Sequence, residues 1–219
     1  MGKEVSNVKD FPMFTTENGV ASLVLRQVPY TGCAYITILD SCAPKALLKD
    51  CVDFAKAVGV DKVYGTGDPF LEQYPVYTHV LSMMGDIQSL PNTDACVFPV
   101  TDRTLEQFRT FHNEKMKDVP GAAYIAKSEL TELLDHRNAY FVHRDGDLLG
   151  ILIGSGERLD AVAGSRPGVG VDLMGAARSI LTGERVCLEV ASNNARAIRL
   201  YERLGFINMG VLKTWYKIF

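Results

Sequence analysis

Residues 192–206 read SNNARAIRLYERLGF. Ala197, Leu200, Tyr201 and Leu204 recur at i, i+3, i+4 and i+7, so a helix here buries one apolar face and turns Arg196, Arg199 and Arg203 outward. Asn193 or Asn194 can cap its start, and Gly205 can end it. These residues account for a helix and leave Tyr201 open. An aromatic at core spacing fills a core, or its hydroxyl serves a site. The arginines are open in the same way, between a solvated face and a phosphate clamp.

Working outward, RVCLEV precedes this helix as a strand, and VDLMGAARSIL precedes that strand as another helix. The latter helix is entered through GSRPGVG, which starts at Gly164 and follows the strand RLDAVAG. Glycines at 168 and 170 let main-chain N–H groups approach an anion with no Cβ in the way, and a helix amino terminus adds a favourable dipole. Gly168, Val169 and Gly170 therefore read either as a pyrophosphate cradle or as a flexible turn. Asp172, just inside the helix, opposes a bound anion unless its side chain points away.

Upstream, AYFVHRDGDLLGILIG forms two strands around Arg144-Asp145-Gly146-Asp147, where Asp-Gly supplies the positive φ of a tight hairpin. TDRTLEQFRTFHNEKMKD and SELTELLDHR read as helices, and ACVFPV as a strand. The first half contains SLVLRQV and AYITIL as a hairpin, the helix PKALLKDCVDFAKAVG, and the strands KVYGTG and VYTHVLSMMG. The polar, proline-bearing IQSLPNTDA places a boundary near residue 92, giving domains 1–92 and 93–219. Strands alternating with helices make the class mixed α/β with a central parallel pair. GVDKVY at 59–64 and TGERVC at 182–187 each follow an amphipathic helix and open a strand. Either the first half is a partial copy of the second, or the two share only a chain reversal.

Composition narrows the function classes. The chain has 219 residues, 47% of them hydrophobic, and a net charge of −3, which suits a globular protein of one large or two modest domains. There is no run of about 18 apolar residues, and the amino terminus MGKEVSNVKDF lacks a signal-peptide core, so a cytoplasmic protein without membrane association is expected. Cysteines at 33, 42, 51, 96 and 187 form no C-x-x-C pair and the four histidines are scattered; reduced structural thiols and no metal are expected. With no Lys/Arg-rich stripe, nucleic acid is not an expected partner.

Asn194-x-x-Ala197-x-x-Leu200-Tyr201-Glu202-x-x-Gly205-Phe206 resembles the carboxy-terminal signature of the GNAT acetyltransferase superfamily. Ser165-x-x-Gly168-x-Gly170 lies upstream, where that family has its pyrophosphate loop, although Ser165 occupies a position at which the family usually carries Gln or Arg. The layout of residues 95–219 follows the family. The resemblance implies a GNAT-like fold with a degenerate GNAT-like amino-terminal lobe, and acetyl-CoA as cosubstrate without a metal.

By the same resemblance, main-chain amides of Gly168, Val169 and Gly170 would hold the coenzyme pyrophosphate with Arg166 nearby, and Asn194 would contact the coenzyme arm. The sheet would splay between RLDAVAG and RVCLEV to admit that arm, and main-chain N–H groups there would polarise the thioester carbonyl. Tyr201 would protonate the departing thiolate. Glu157, Asp160 and Glu189 are candidates for the base that takes the amine's proton, Glu157 foremost, directly or through water. The implied reaction is direct transfer of an acetyl group to a primary amine of a small molecule or peptide; the alternative is a non-catalytic acyl-CoA-binding or interaction protein. The sequence leaves the oligomeric state open.

Overall fold

A computed structural model describes residues 10–117, 119 and 124–219. In chain order the first elements are β1 (Phe11–Thr16), β2 (Gly19–Val24), α1 (Val28–Thr31), β3 (Cys33–Ser41), α2 (Pro44–Ala57), β4 (Lys62–Thr66) and β5 (Val76–Asp86). They are followed by β6 (Cys96–Pro99), α3 (Leu105–Met116), α4 (Leu130–His136), β7 (Ala139–Arg144), β8 (Asp147–Ser155) and β9 (Arg158–Gly164). α5 (Gly170–Ala177), β10 (Arg185–Ala191), α6 (Ala195–Arg203) and β11 (Ile207–Lys217) complete the chain. The class is mixed α/β. None of the described helices is long and apolar enough to cross a membrane.

The polypeptide forms two compact units. One runs as far as Val80 and takes in Lys213–Phe219; the other is Leu81–Leu212. The boundary expected at residue 92 does not coincide with this division. β5 runs on from the first unit into the second, and the end of β11 pairs with β4, so the chain's last residues belong with its first half. Proline and polar residues mark where a chain turns, not which strand it pairs with.

In the first unit, β1, β2 and β3 form an antiparallel set, β4 joins β3 in parallel, and Tyr216 of β11 lies opposite Gly65. β2 and β3 pair as the sequence predicts, but the segment between them is the short helix α1, started by Pro29 and stopped by Gly32 in a left-handed conformation. β1 was not legible as a strand. Its FPMFTT is mostly exposed and lacks a buried alternation. Leu47, Leu48, Cys51 and Ala55 on one face of α2 bury against Leu23, Ile36 and Val63. The Cys51 thiol is fully buried, and desolvation pushes its pKa up to about 12. All five cysteines are free.

In the second unit the strand order is β5-β10-β9-β8-β7-β6. Asp145 and Gly146 both have positive φ, 51° and 85°, as the tight turn from β7 to β8 requires. Consecutive residues of β8 enter opposite layers. Ile151 packs with Phe108 of α3 and Phe141, whereas Leu152 packs with Leu173 of α5, Leu188 and Tyr201 of α6. α3 is shorter than the predicted 101–118; Thr104 is its N-cap, and Asp118 lies outside the described residues. β11 extends further back than the expected VLKTWYKIF.

Leu173 is fully buried at the centre of this layer. Leu173→Ala is expected to cost about 2–5 kcal/mol, read as a lower urea midpoint at unchanged m-value. A loss below about 1 kcal/mol would show that α5 is not anchored to the sheet through this side chain.

Candidate functional site

β9 and β10 run parallel, but only Arg158 with Cys187 and Leu159 with Leu188 are in register. The Cys187 N–H donates to the Glu157 carbonyl at 2.7 Å, which closes that end. Beyond Leu159 and Leu188 no registered pair joins the described strands, and the facing main-chain edges part. On its other side β9 pairs with β8 through a register shift: Ala161 opposes Ile153 and Leu159 opposes Gly154, so Asp160 is the extra, bulged residue. The bulge turns the strand where the two edges separate.

The open end leads into a cleft of about 420 Å³. Its walls come from the loop 164–171, from α6 and from Lys115 of α3. Arg166, Gly168, Val169, Gly170, Asn194 and Tyr201 all line it, so the structure brings these six to one place and leaves out the three candidate bases, Glu157, Asp160 and Glu189. The two glycines serve differently. Gly168 has φ +96° and open space around an added Cβ, a backbone position that favours glycine on conformational grounds. At Gly170 an added Cβ would lie 2.7 Å from Leu200 Cδ2, so this glycine lets α5 and α6 approach each other.

The helix with which the sequence reading began is fixed at both ends. Asn194 is the N-cap, its Oδ1 accepting from the Ala197 N–H at 3.2 Å. At the other end the Phe206 N–H donates to the Tyr201 carbonyl and the Gly205 N–H to that of Glu202, both at 3.0 Å. With Gly205 at φ +84°, this is the paired-bond helix stop that needs a left-handed residue. Phe206 is buried beside Tyr201, ring centroids 5.6 Å apart, and its ring leaves no room for a Cβ at Gly85 of β5. The Gly-Phe stop thus fixes the Tyr201 ring in the core while one edge of it lines the cleft. Burial pushes the pKa of the Tyr201 phenol up to about 12.

Charge in the cleft is of one sign. Lys115, Arg166, Arg196 and Arg203 line it and no carboxylate does. Of the three arginines left open between a solvated face and a phosphate clamp, Arg196 and Arg203 stand on the cleft wall. Asp172 points away, as an anion site requires: its Oδ1 accepts from Arg144 Nη1 at 3.0 Å and Thr93 Oγ1 at 3.3 Å. An open main-chain edge, cations without acids, and the edge of a tyrosine in the wall together fit an elongated anionic ligand with a polar atom near its inner end.

Glu157, the foremost candidate base, is not in the cleft. It lies in the β8–β9 turn, where its Oε1 accepts from the Glu184 N–H at 3.4 Å. At about 3.3 Å per residue, the length of β9 puts it roughly 20 Å from the glycine loop. It fastens the closed end of the parting strands. Asp160 and Glu189 are both held by Arg158. Lys115 was missed by the sequence reading, because nothing in local spacing brings an α3 lysine to a loop about 50 residues later.

The architecture is the GNAT acetyltransferase fold. Among solved structures, the chain is similar to a functionally unknown conserved protein from Staphylococcus epidermidis (TM-score 0.57, 11% identity, covering 98% of this chain and 94% of that one). It is also similar to a tandem GNAT protein from the clavulanic acid biosynthesis pathway (TM-score 0.52, 12% identity, 91% and 79% covered). A GCN5-related N-acetyltransferase from Anabaena variabilis gives a TM-score of 0.60 at 14% identity, with 90% of this chain and 58% of that chain covered. No family model matches the sequence, and no curated protein matches it.

The Tyr201 phenol stays protonated to about pH 12 in the folded chain, against 10 when free in solution. The folded state therefore holds a proton that the unfolded state releases. Stability that is fully present below pH 10 is lost as the pH rises toward 12. Urea midpoints measured between pH 9 and 11 are expected to fall more steeply for the wild type than for Tyr201→Phe. Parallel curves would mean that the phenol is not desolvated.

Proposed function

We propose that the protein is an acetyl-CoA-dependent N-acetyltransferase whose coenzyme lies in the second unit, between the parted ends of β9 and β10. The observation that carries this reading is the conjunction of the open strand edges, the glycine loop and the Tyr201 phenol in one cationic cleft. Main-chain amides of Gly168, Val169 and Gly170 hold the pyrophosphate, with Arg166 beside them. Asn194 uses its side-chain oxygen as the helix cap, which leaves its amide nitrogen to contact the coenzyme arm. Main-chain N–H groups on the open edge of β9 stabilise charge developing on the thioester carbonyl oxygen.

The part of Tyr201 follows from its acidity. Desolvation raises the phenol and keeps it protonated at neutral pH, so that it is a donor toward a departing thiolate. Tyr201 therefore donates a hydrogen bond to the departing sulfur. The acceptor amine loses its proton to a base, directly or through water.

Apart from the short α1 between β2 and β3, the first unit has the order β-β-β-α-β with the same pairing senses as β7-β8-β9-α5-β10: two antiparallel pairs, then one parallel. Its parallel pair, however, stays in register from Cys33↔Lys62 to Thr37↔Thr66. We read this unit as a partial copy without a coenzyme slot. Binding of one acetyl-CoA per chain is the expected stoichiometry; two would remove that reading.

Calorimetric titration with acetyl-CoA and free CoA tests the proposal, with saturable binding near micromolar as the expected outcome. Tyr201→Phe should lower turnover by about tenfold or more, as loss of a transition-state hydrogen bond does, with coenzyme affinity nearly unchanged. Gly168→Val should weaken binding by closing the approach to the loop's main chain. The attachment of Asp160 and Glu189 to Arg158 favours a second reading, a non-catalytic acyl-CoA-binding protein. Tight binding with no acetyl transfer to a panel of primary amines would select it.

A further inference from the structure

Three features of the glycine loop bear on how it meets a phosphate. Ser165, its first residue, lines the cleft with a buried Oγ that makes no hydrogen bond, and it brings no charge to set against a phosphate. Arg166 is 3.5 Å from Asp147 Oδ2 and shares its charge with that carboxylate. Lys115 reaches the same place from α3: its Nζ donates to the Ser165 carbonyl at 3.0 Å and lines the cleft.

An ammonium group has three donors. One is used on Ser165, and no described carboxylate pairs with Lys115. The Ser165 bond fixes where the charge stands, and its remaining N–H groups are free for an anion beside the loop amides. Phe111, whose ring centroid lies 5.4 Å from Nζ, flanks the side chain from one turn earlier on α3.

We propose that Lys115 is a phosphate-binding residue of this site, supplying from α3 the charged donor that the loop lacks at Ser165, and that it acts on the pyrophosphate. This rests on the coenzyme reading above. The contact would be charge-assisted on both sides, with the geometry already set in the free protein.

The test is calorimetric titration of the full-length chain and its Lys115→Ala and Lys115→Arg variants with CoA and 3′-dephospho-CoA, which share the pyrophosphate and differ in one phosphate. Lys115→Ala is expected to lose about tenfold or more in affinity for both ligands, by the same factor, while Lys115→Arg retains most of it. An unfolding temperature close to wild type for Lys115→Ala would separate lost charge from lost structure. Equal affinity of wild type and Lys115→Ala for CoA overturns the inference while the coenzyme reading stands. A loss confined to CoA also overturns it, by placing the lysine at the other phosphate. A loss as large in Lys115→Arg reduces Lys115 to a strut for the loop. Wild-type protein that binds neither ligand overturns the coenzyme reading and this inference with it.

Discussion

Parallel strands hold together only while their main-chain groups find one another, and β9 and β10 do so for two registered pairs before they part. A main-chain N–H or C=O left dry and unpaired costs about 1–3 kcal/mol, so strands do not separate in a core without some other partner for these groups. Here two features oppose further pairing. The Asp160 bulge bends β9, and the contact of Gly170 with Leu200 sets α5 and α6 across the open end. Glu157 and Cys187 hold the closed end fast. The cleft follows from a strand pair closed at one end and open at the other, and the Tyr201 edge, the loop amides and the cations gain their positions from it.

The first unit shows what happens when the same order of elements lacks that constraint. β3 and β4 stay in register over five pairs, and the connection from β3 to α2 runs through Ala43 and Pro44 in place of a glycine loop. Pro44 has no N–H to offer an anion at the helix start. With its edges joined and its helix start closed, this unit keeps the topology without the opening.

What the sequence disclosed and what it concealed divide along physical lines. Local chemistry was legible: Asp145-Gly146 demanded its turn, the 3.6-residue period placed α2 and α6, and Gly205 marked a helix stop whose two hydrogen bonds the structure contains. The family resemblance added the loop and the splay, and six of its site residues converge on the cleft. Glu157 lies off the cleft because a strand has length: adjacency in sequence to β9 says nothing about which end of it faces the site. β1 was concealed because an exposed edge strand need not alternate. Lys115, Arg196 and Arg203 depended on packing, since a cation on an outer helical face is solvated or functional according to what stands opposite.

That last point also bears on the charge balance. A chain of net charge −3 shows no sign of an anion site in its composition, yet the cleft has four cations on its walls and no acid. Several acids near the loop and its strands are held by other partners: Asp172 by Arg144 and Thr93, Asp160 and Glu189 by Arg158, with Asp147 beside Arg166. Each such pairing is weak at a surface, about 0–1 kcal/mol, so stability alone is a poor reason for the arrangement. Its effect is on the local field: carboxylates tied outside the cleft leave Lys115 and Arg196 unneutralised within it. The coenzyme proposed to lie between β9 and β10 would then exchange water for fixed donors.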